Sequence, residues 1–149
     1  MWSIKTFSEL TTTELYAIYQ LRVKTFVVEQ QRLYQEVDDI DPHAVHIFKT
    51  VNNKIVAYAR VFMEDGHASF GRVVVDQSLR GQHLGQQLMV QVMTVLATRF
   101  TGQPIIIEAQ VQVQNFYTRF GFTAEGTPFI FHHTEHIKMV RAADTKNLA

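Results

Sequence analysis

The segment Arg80-Gly81-Gln82-His83-Leu84-Gly85-Gln86 lies between the β-branched run Val73-Val74-Val75 and a stretch with apolar side chains at Leu84, Leu88, Met89, Val92, Met93 and Leu96. The first run suits a buried strand and the second repeats with helical spacing, so the chain passes from strand through a tight loop into a helix. Amides in such a loop, and in the first turn of the helix behind it, lack intrahelical partners and point outward, which makes a socket for a phosphate or pyrophosphate. Gly81 and Gly85 let a ligand come close to the backbone, and Arg80 adds a cation. The loop has neither the Gly-Lys-Ser/Thr ending of a P-loop nor the spacing of the dinucleotide-binding Gly-x-Gly-x-x-Gly. A different phosphate-bearing ligand is expected.

The rest of the chain organises around this unit. Trp2 to Phe7 reads as a strand, and Thr11-Thr12-Thr13-Glu14 supplies a capping box for a helix to about Glu29, with Leu15, Ile18, Tyr19, Arg22 and Phe26 near one face. Gln30 to Pro42 reads as a polar loop. Val45 to Val51, Ile55 to Met63 and Ala68 to Asp76 read as three antiparallel strands, turned at Asn52-Asn53 and at Asp65-Gly66. A helix from about Gly85 to Phe100 is broken by Thr101-Gly102-Gln103-Pro104, and the isoleucine strand from Ile105 should then run parallel to the valine strand. After a short helix stopped by Gly121, the segments Phe122 to Ala124, Phe129 to His132 and His136 to Arg141 read as terminal strands, and Ala142 to Ala149 as a loose tail. The expected class is α+β, a mixed sheet with helices on both faces.

Composition narrows the partners. A chain of 149 residues, 46% of them hydrophobic, suits one domain over residues 1–149. The chain shows no long apolar run and no charged-then-apolar leader, so a membrane partner is not expected. With no cysteine, disulfides, thiolate chemistry and Cys-ligated metals are excluded, and a cytoplasmic protein is expected. The 14 basic residues balance 14 acidic ones without a basic block, which argues against nucleic acid. Between Glu29 and Asp41 the charges are uneven: Glu29, Glu36, Asp38, Asp39 and Asp41 face only Arg32. That stretch is read either as a lure for a cationic acceptor or as a solvated acidic loop.

A second motif sharpens the reading. Ile105-Ile106-Ile107-Glu108-Ala109-Gln110 is a strand with a polar end, and Asn115-Phe116-Tyr117-Thr118-Arg119-Phe120-Gly121-Phe122 is a short helix entering a strand. With the glycine loop, these segments resemble the GNAT superfamily of acyl-coenzyme A-dependent N-acetyltransferases. Its signature is Arg/Gln-x-x-Gly-x-Gly/Ala after a strand and Phe-Tyr-x-x-x-Gly-Phe further on. The first motif aligns as Arg80 to Gly85, with His83 where the family usually has its middle glycine; the second aligns as Phe116 to Phe122. Leu21-Arg22, Val23 to Phe26, Val27-Val28-Glu29-Gln30, Tyr34, Glu36, Asp38, Asp41 and His46, with Ala109-Gln110 and His136-Ile137-Lys138-Met139, look like the small bacterial ElaA-like branch.

The resemblance implies a mostly antiparallel sheet in which two parallel strands splay apart to bind acyl-CoA. The backbone of Val73, Val74 and Val75 would take the pantetheine arm. Arg80, Gly81, Gln82, His83, Leu84, Gly85 and Gln86 would hold the pyrophosphate, and Gln110 would stand in for the asparagine that often bonds the arm. Tyr117 occupies the general-acid position and Glu108 that of a base, although each also suits a plain structural role. Phe26, Tyr34 and His136 would line the acceptor pocket, with His136 an alternative base. His43, His46 and His67 carry no signal beyond surface or turn positions. No metal is expected: strand-like segments flank His132, His133, Glu135 and His136, and no helix brings His132 and His136 onto one face. The implied enzyme moves an acetyl group from acetyl-CoA to the primary amine of a small molecule or peptide, by direct attack in a ternary complex. The rival is a non-catalytic acyl-CoA-binding or sensor module, and a homodimer is left open.

Overall fold

A computed structural model of the protein describes residues 1–143. The tail expected over Ala142 to Ala149 therefore lies largely outside the described residues.

The capping box at Thr11 forms as expected. Thr11 Oγ1 accepts from the Glu14 amide at 3.0 Å while the Glu14 carboxylate accepts from the Thr11 amide at 2.9 Å, which starts helix α1, Thr12–Val23. The helix expected to reach Glu29 does not stay α-helical; it widens into a π-helical segment, Lys24–Glu29, that buries Thr25 and Phe26. Such segments are rare and concentrate at functional sites.

Among the described residues the sheet has seven strands: β1 (Trp2–Thr6), β2 (Val45–Val51), β3 (Lys54–Glu64), β4 (His67–Val75), β5 (Ile105–Gln110), β6 (Thr123–Phe131) and β7 (Thr134–Arg141). Their order is β1-β2-β3-β4-β5-β7-β6, and every neighbouring pair is antiparallel except β4 and β5. Asn52, Asn53, Asp65 and Gly66 all take positive φ in the two hairpin turns, as their short polar or absent side chains allow. One expectation needs correcting: Phe122 to Ala124 and Phe129 to His132 are not separate strands. Thr123 to Ala124 and Phe129 to Phe131 belong to the single strand β6, with Phe122 and His132 just outside it, and the strand's pairing slips between Glu125 and Phe129 around Gly126 at φ 82°. A bulge of this kind puts polar residues inside a strand and imitates a loop in the sequence.

Side-chain alternation along β3 divides the molecule. Ala57, Ala59 and Val61 face helix α2 (Leu84–Arg99), where they pack with Leu88, Met89 and Val92, and Tyr117 from α3 (Gln114–Thr118) joins the same core. Tyr58 faces the other way, toward Ile18, Leu21 and Phe26 beneath α1. Helices thus cover both faces of a mixed sheet, as expected.

The parallel pair is barely a pair. β4 and β5 share one registered position, Ala68 opposite Ile105 at the start of both strands, and then part. β4 is also bulged, for its pairing with β3 slips between Tyr58 and Arg60, and Arg72 sits there at φ 52°. A bulky residue in that conformation is strained by about 1–3 kcal/mol and persists only when its surroundings hold it.

The restraint is a buried ion network. Arg72 Nε donates to Glu36 Oε2 at 2.6 Å, and Arg22 Nε donates to the same oxygen at 3.0 Å. Arg22 also grips Asp41 at 2.8 and 3.1 Å, and Arg60 joins Asp41 at 2.9 Å to Asp38 at 2.6 and 2.8 Å. Glu36 is 4% exposed and Asp41 1% exposed. Glu36, Asp38 and Asp41 are therefore neither a solvated face nor free to attract a cation, for three arginines from α1, β3 and β4 consume their charge; Glu29 pairs with Arg80, and of the stretch's acids only Asp39 is exposed. His46 is likewise neither a surface nor a turn residue. It is fully buried, and its Nε2 must carry the proton that it donates to the Asp41 carbonyl at 2.9 Å, so Nδ1 accepts from the Tyr58 hydroxyl at 2.6 Å.

Burial alone would raise the Asp41 carboxyl, but its bonds to Arg22 and the nearby charge of Arg22 and Arg60 outweigh burial and hold it below the usual carboxylate range. A depressed folded-state value stabilises the fold above the unfolded carboxylate range, near roughly pH 4, and that contribution is lost as pH falls through the folded value. Asp41→Asn is expected to lower the unfolding free energy by about 3–5 kcal/mol at neutral pH, because two buried guanidiniums lose their shared anion. The difference between wild type and variant should shrink on acidification below roughly pH 4. Urea titrations across pH measure both effects; a loss under about 1 kcal/mol at neutral pH contradicts the account.

Candidate active site

Where β4 and β5 part, a cleft of about 950 Å³ opens. Val73, Val74 and Val75 line one wall. Glu108 and Gln110 line the other, Tyr117 and Gly85 lie along it, and Phe26, Tyr34 and His136 complete the lining. Of the loop residues expected at the site, Arg80 and Gly85 reach this lining, whereas Gly81, Gln82, His83, Leu84 and Gln86 stand beyond it, in the loop and first turn of α2.

That first turn is poor in partners. No side chain among the described residues caps α2 and no acidic residue occupies its first turn; the early backbone bond from the Gln87 amide to the His83 carbonyl, at 3.2 Å, leaves the amides of Leu84 to Gln86 without helical acceptors. His83 takes φ 60° and ψ 14°, the left-handed conformation a glycine adopts without strain, so the departure from the motif keeps the backbone path. Gly81, at φ 83°, faces open space. These features fit a pyrophosphate on backbone donors. Arg80 is held rather than free, its Nε donating to the Val75 carbonyl at 3.1 Å and its Nη2 to Glu29 at 3.2 Å.

Tyr117 is 8% exposed, and its ring meets Phe70, Phe116 and Phe122 edge-on at 5.8, 5.3 and 6.4 Å. Burial pushes its phenol well above the ordinary value, so the hydroxyl keeps its proton at neutral pH and is a donor rather than a base. Glu108 is exposed and lies opposite Lys138 in register, but Lys138 pairs with Glu125 at 3.0 Å. Ile106, Glu108 and Gln110 share the face of β5 opposite the core residues Ile107 and Ala109, which follows from strand alternation. Gln110 donates to Gln30 at 3.3 Å. His136 Nδ1 donates to the Thr134 carbonyl at 2.8 Å, leaving Nε2 as the acceptor atom of the neutral ring.

Thr25, Arg32, Arg60 and Arg72 also line the cleft and were not singled out from sequence. A usable signal exists for two of them: Arg60 and Arg72 interrupt apolar strand runs, where a cation is tolerated only with a partner. Thr25 carries no comparable mark, although its buried Oγ1 has no hydrogen-bond partner among the described residues.

Comparison with known proteins agrees with this fold. The chain is 37% identical over 145 residues to protein ElaA of Escherichia coli (strain K12), covering 94% of this chain and 95% of ElaA. The crystal structure of Escherichia coli ElaA matches with a TM-score of 0.90 over 95% of this chain and 98% of that one. An acyl-CoA N-acyltransferase from Pseudomonas aeruginosa matches with a TM-score of 0.91 and 36% identity, over 95% and 99% of the two chains. An aminoglycoside 6'-N-acetyltransferase complexed with coenzyme A shares the fold at a TM-score of 0.71 and 14% identity, over 94% and 96% of the chains. Residues 11–143 match the Acetyltransferase (GNAT) domain, and the chain belongs to the GNAT acetyltransferase family.

Proposed function

We propose that the protein moves an acetyl group from acetyl-CoA to the primary amine of a small molecule or peptide, in the cytoplasm, by direct attack within a ternary complex. The observation that carries this reading is a buried, protonated phenol, Tyr117, lining one cleft with the carboxylate of Glu108 and the parted edge of β4. Family membership supports acyl transfer, and the structural neighbour complexed with coenzyme A supports the cosubstrate. No helix among the described residues is long and apolar enough to cross a membrane.

Acyl transfer from a thioester has two proton problems. An aliphatic ammonium, with a pKa near roughly 10, must lose a proton before its nitrogen can attack, and the departing thiolate needs one. In this reading the backbone of Val73 to Val75 orients the thioester arm and the amides around Gly81 to Gln86 hold the pyrophosphate, so the acyl carbon is fixed before the amine arrives. Glu108, or His136 through Nε2, accepts the amine proton, directly or through water. The nitrogen then bonds to the acyl carbon and sheds its second proton to water, the carbon–sulfur bond breaks, and Tyr117 donates its hydroxyl proton to the sulfur before recovering one from solvent. A chain without cysteine offers no thiol for an acyl-enzyme, which favours the direct route.

A thiol-release assay with acetyl-CoA and a panel of amines tests the reading, and initial-rate lines should intersect rather than run parallel. Tyr117→Phe is expected to keep coenzyme A affinity and to lower kcat by roughly ten- to a thousandfold, because only the proton donor is removed. Full turnover in that variant would assign Tyr117 a purely structural role. Coenzyme A binding with no thiol release from any amine would favour a sensor module.

A further inference from the structure

Arg32 differs from Arg22, Arg60 and Arg72, the arginines in and behind the cleft wall. It is 6% exposed and lines the cleft, yet among the described residues no carboxylate pairs with it. Its Nε donates to the His132 carbonyl at 3.0 Å and its Nη1 to Gln30 Oε1 at 3.1 Å; both partners are neutral, and Nη2 makes no hydrogen bond among the described residues. Arg22, Arg60 and Arg72, by contrast, all hold carboxylates. A cation withdrawn from water without an anion is costly, and a site that tolerates one is poised to receive an anion.

The surroundings add to the demand. Arg32 and Arg72 share the ring of Tyr34, their guanidinium carbons 4.7 and 5.3 Å from its centre. Glu36, the acid that bears on Tyr34, is already held by Arg72 and Arg22, and Asp38 by Arg60 and Arg72. Burial depresses the Arg32 pKa and the charge of Arg72 depresses it further, with Tyr34 opposing; His132 is lowered by burial and then by both arginines. The corner is therefore positive, and Arg32 Nη2 is left without a partner among the described residues.

We propose that the acceptor is an amine that also bears a carboxylate, a free amino acid or a short peptide with its terminal carboxylate, and that Arg32 takes that carboxylate. The inference rests on the acyl-transfer reading and names its substrate class. Arg32 is tied to the β6–β7 turn through His132 and lies beside Tyr34, whereas Gly81 to Leu84 and Gln86 stand outside the cleft's lining; the carboxylate is assigned to a different donor from the coenzyme's phosphates. A planar guanidinium with a free Nη2 matches a carboxylate better than a simple amine acceptor could use it.

The test is thiol release from acetyl-CoA with free amino acids and dipeptides, each paired with its C-terminal amide. Wild type is expected to prefer the acids by roughly ten- to a hundredfold in kcat/KM, expressed mainly in KM, as for loss of one charged hydrogen bond. Arg32→Gln should bring the ratio to about one, and Arg32→Lys should retain part of the preference. Both variants should bind coenzyme A as wild type does, by calorimetry, which also shows that they fold. Equal use of acids and amides by wild type, an undiminished preference in Arg32→Gln, or weakened coenzyme A binding in both variants overturns the proposal. If no amine releases thiol, acyl transfer itself fails, and the anion site is read from binding of N-acetylated amino acids and their amides in the presence of coenzyme A. Arg32-dependent binding of the acids then upholds the site; no such binding overturns it too.

Discussion

Two parallel strands that touch at Ala68 and Ile105 and then separate set the terms for everything around them. Backbone amides and carbonyls along the parted edges of β4 and β5 lose their ladder partners, and such groups are not left dry without replacement. The gap has to hold water or a ligand that offers amides of its own. Helix α2 bridges the two strands and presents its uncapped first turn beside the gap. A ligand with an amide-bearing arm and a pyrophosphate therefore answers two unmet needs at once, and acyl-CoA has that chemistry.

The separation needs a rigid frame, which the ion network provides. Arg72 is held in a left-handed conformation at the β4 bulge by Glu36, while Arg22 and Arg60 bind Asp41 from α1 and β3. A loop of polar residues between α1 and β2 is thus pinned against three elements. Replacing such a network by apolar groups of the same volume is commonly neutral for stability, whereas removing one member strands its partners. Its effect in this fold is to fix positions: the bulge, the wall of the cleft and the path that carries Arg32 and Tyr34 to it.

Local signals were readable in the sequence. The helical spacing of α2, the Thr11–Glu14 cap and the Asn-Asn and Asp-Gly turns each depend on residues a few positions apart, and each forms as expected. What escaped depends on partners far apart in the chain. Glu36 and Asp41 read as solvated acids or as a lure for a cation because their cation, Arg22, lies 14 and 19 residues away on α1. His46 looked unremarkable because Tyr58 and the Asp41 carbonyl meet it only in the folded sheet. The bulge in β6 concealed a continuous strand, and nothing local in Lys24–Glu29 announces a π-helix. In the cleft, the family likeness pointed to Tyr117, Glu108 and His136, all of which line it. Arg32 was noted only as the lone cation of the acidic stretch, since only tertiary structure reveals that it is buried without a carboxylate partner among the described residues.

The claim that the parted strand and the α2 amides form one binding surface is tested most directly by residue-resolved amide hydrogen exchange with and without acetyl-CoA. The account predicts that protection rises at Val73 to Val75 and at Leu84 to Gln86 together, with the β1–β2 pairing unchanged. Protection at the α2 amides without β4, at β4 without α2, or at neither would contradict it.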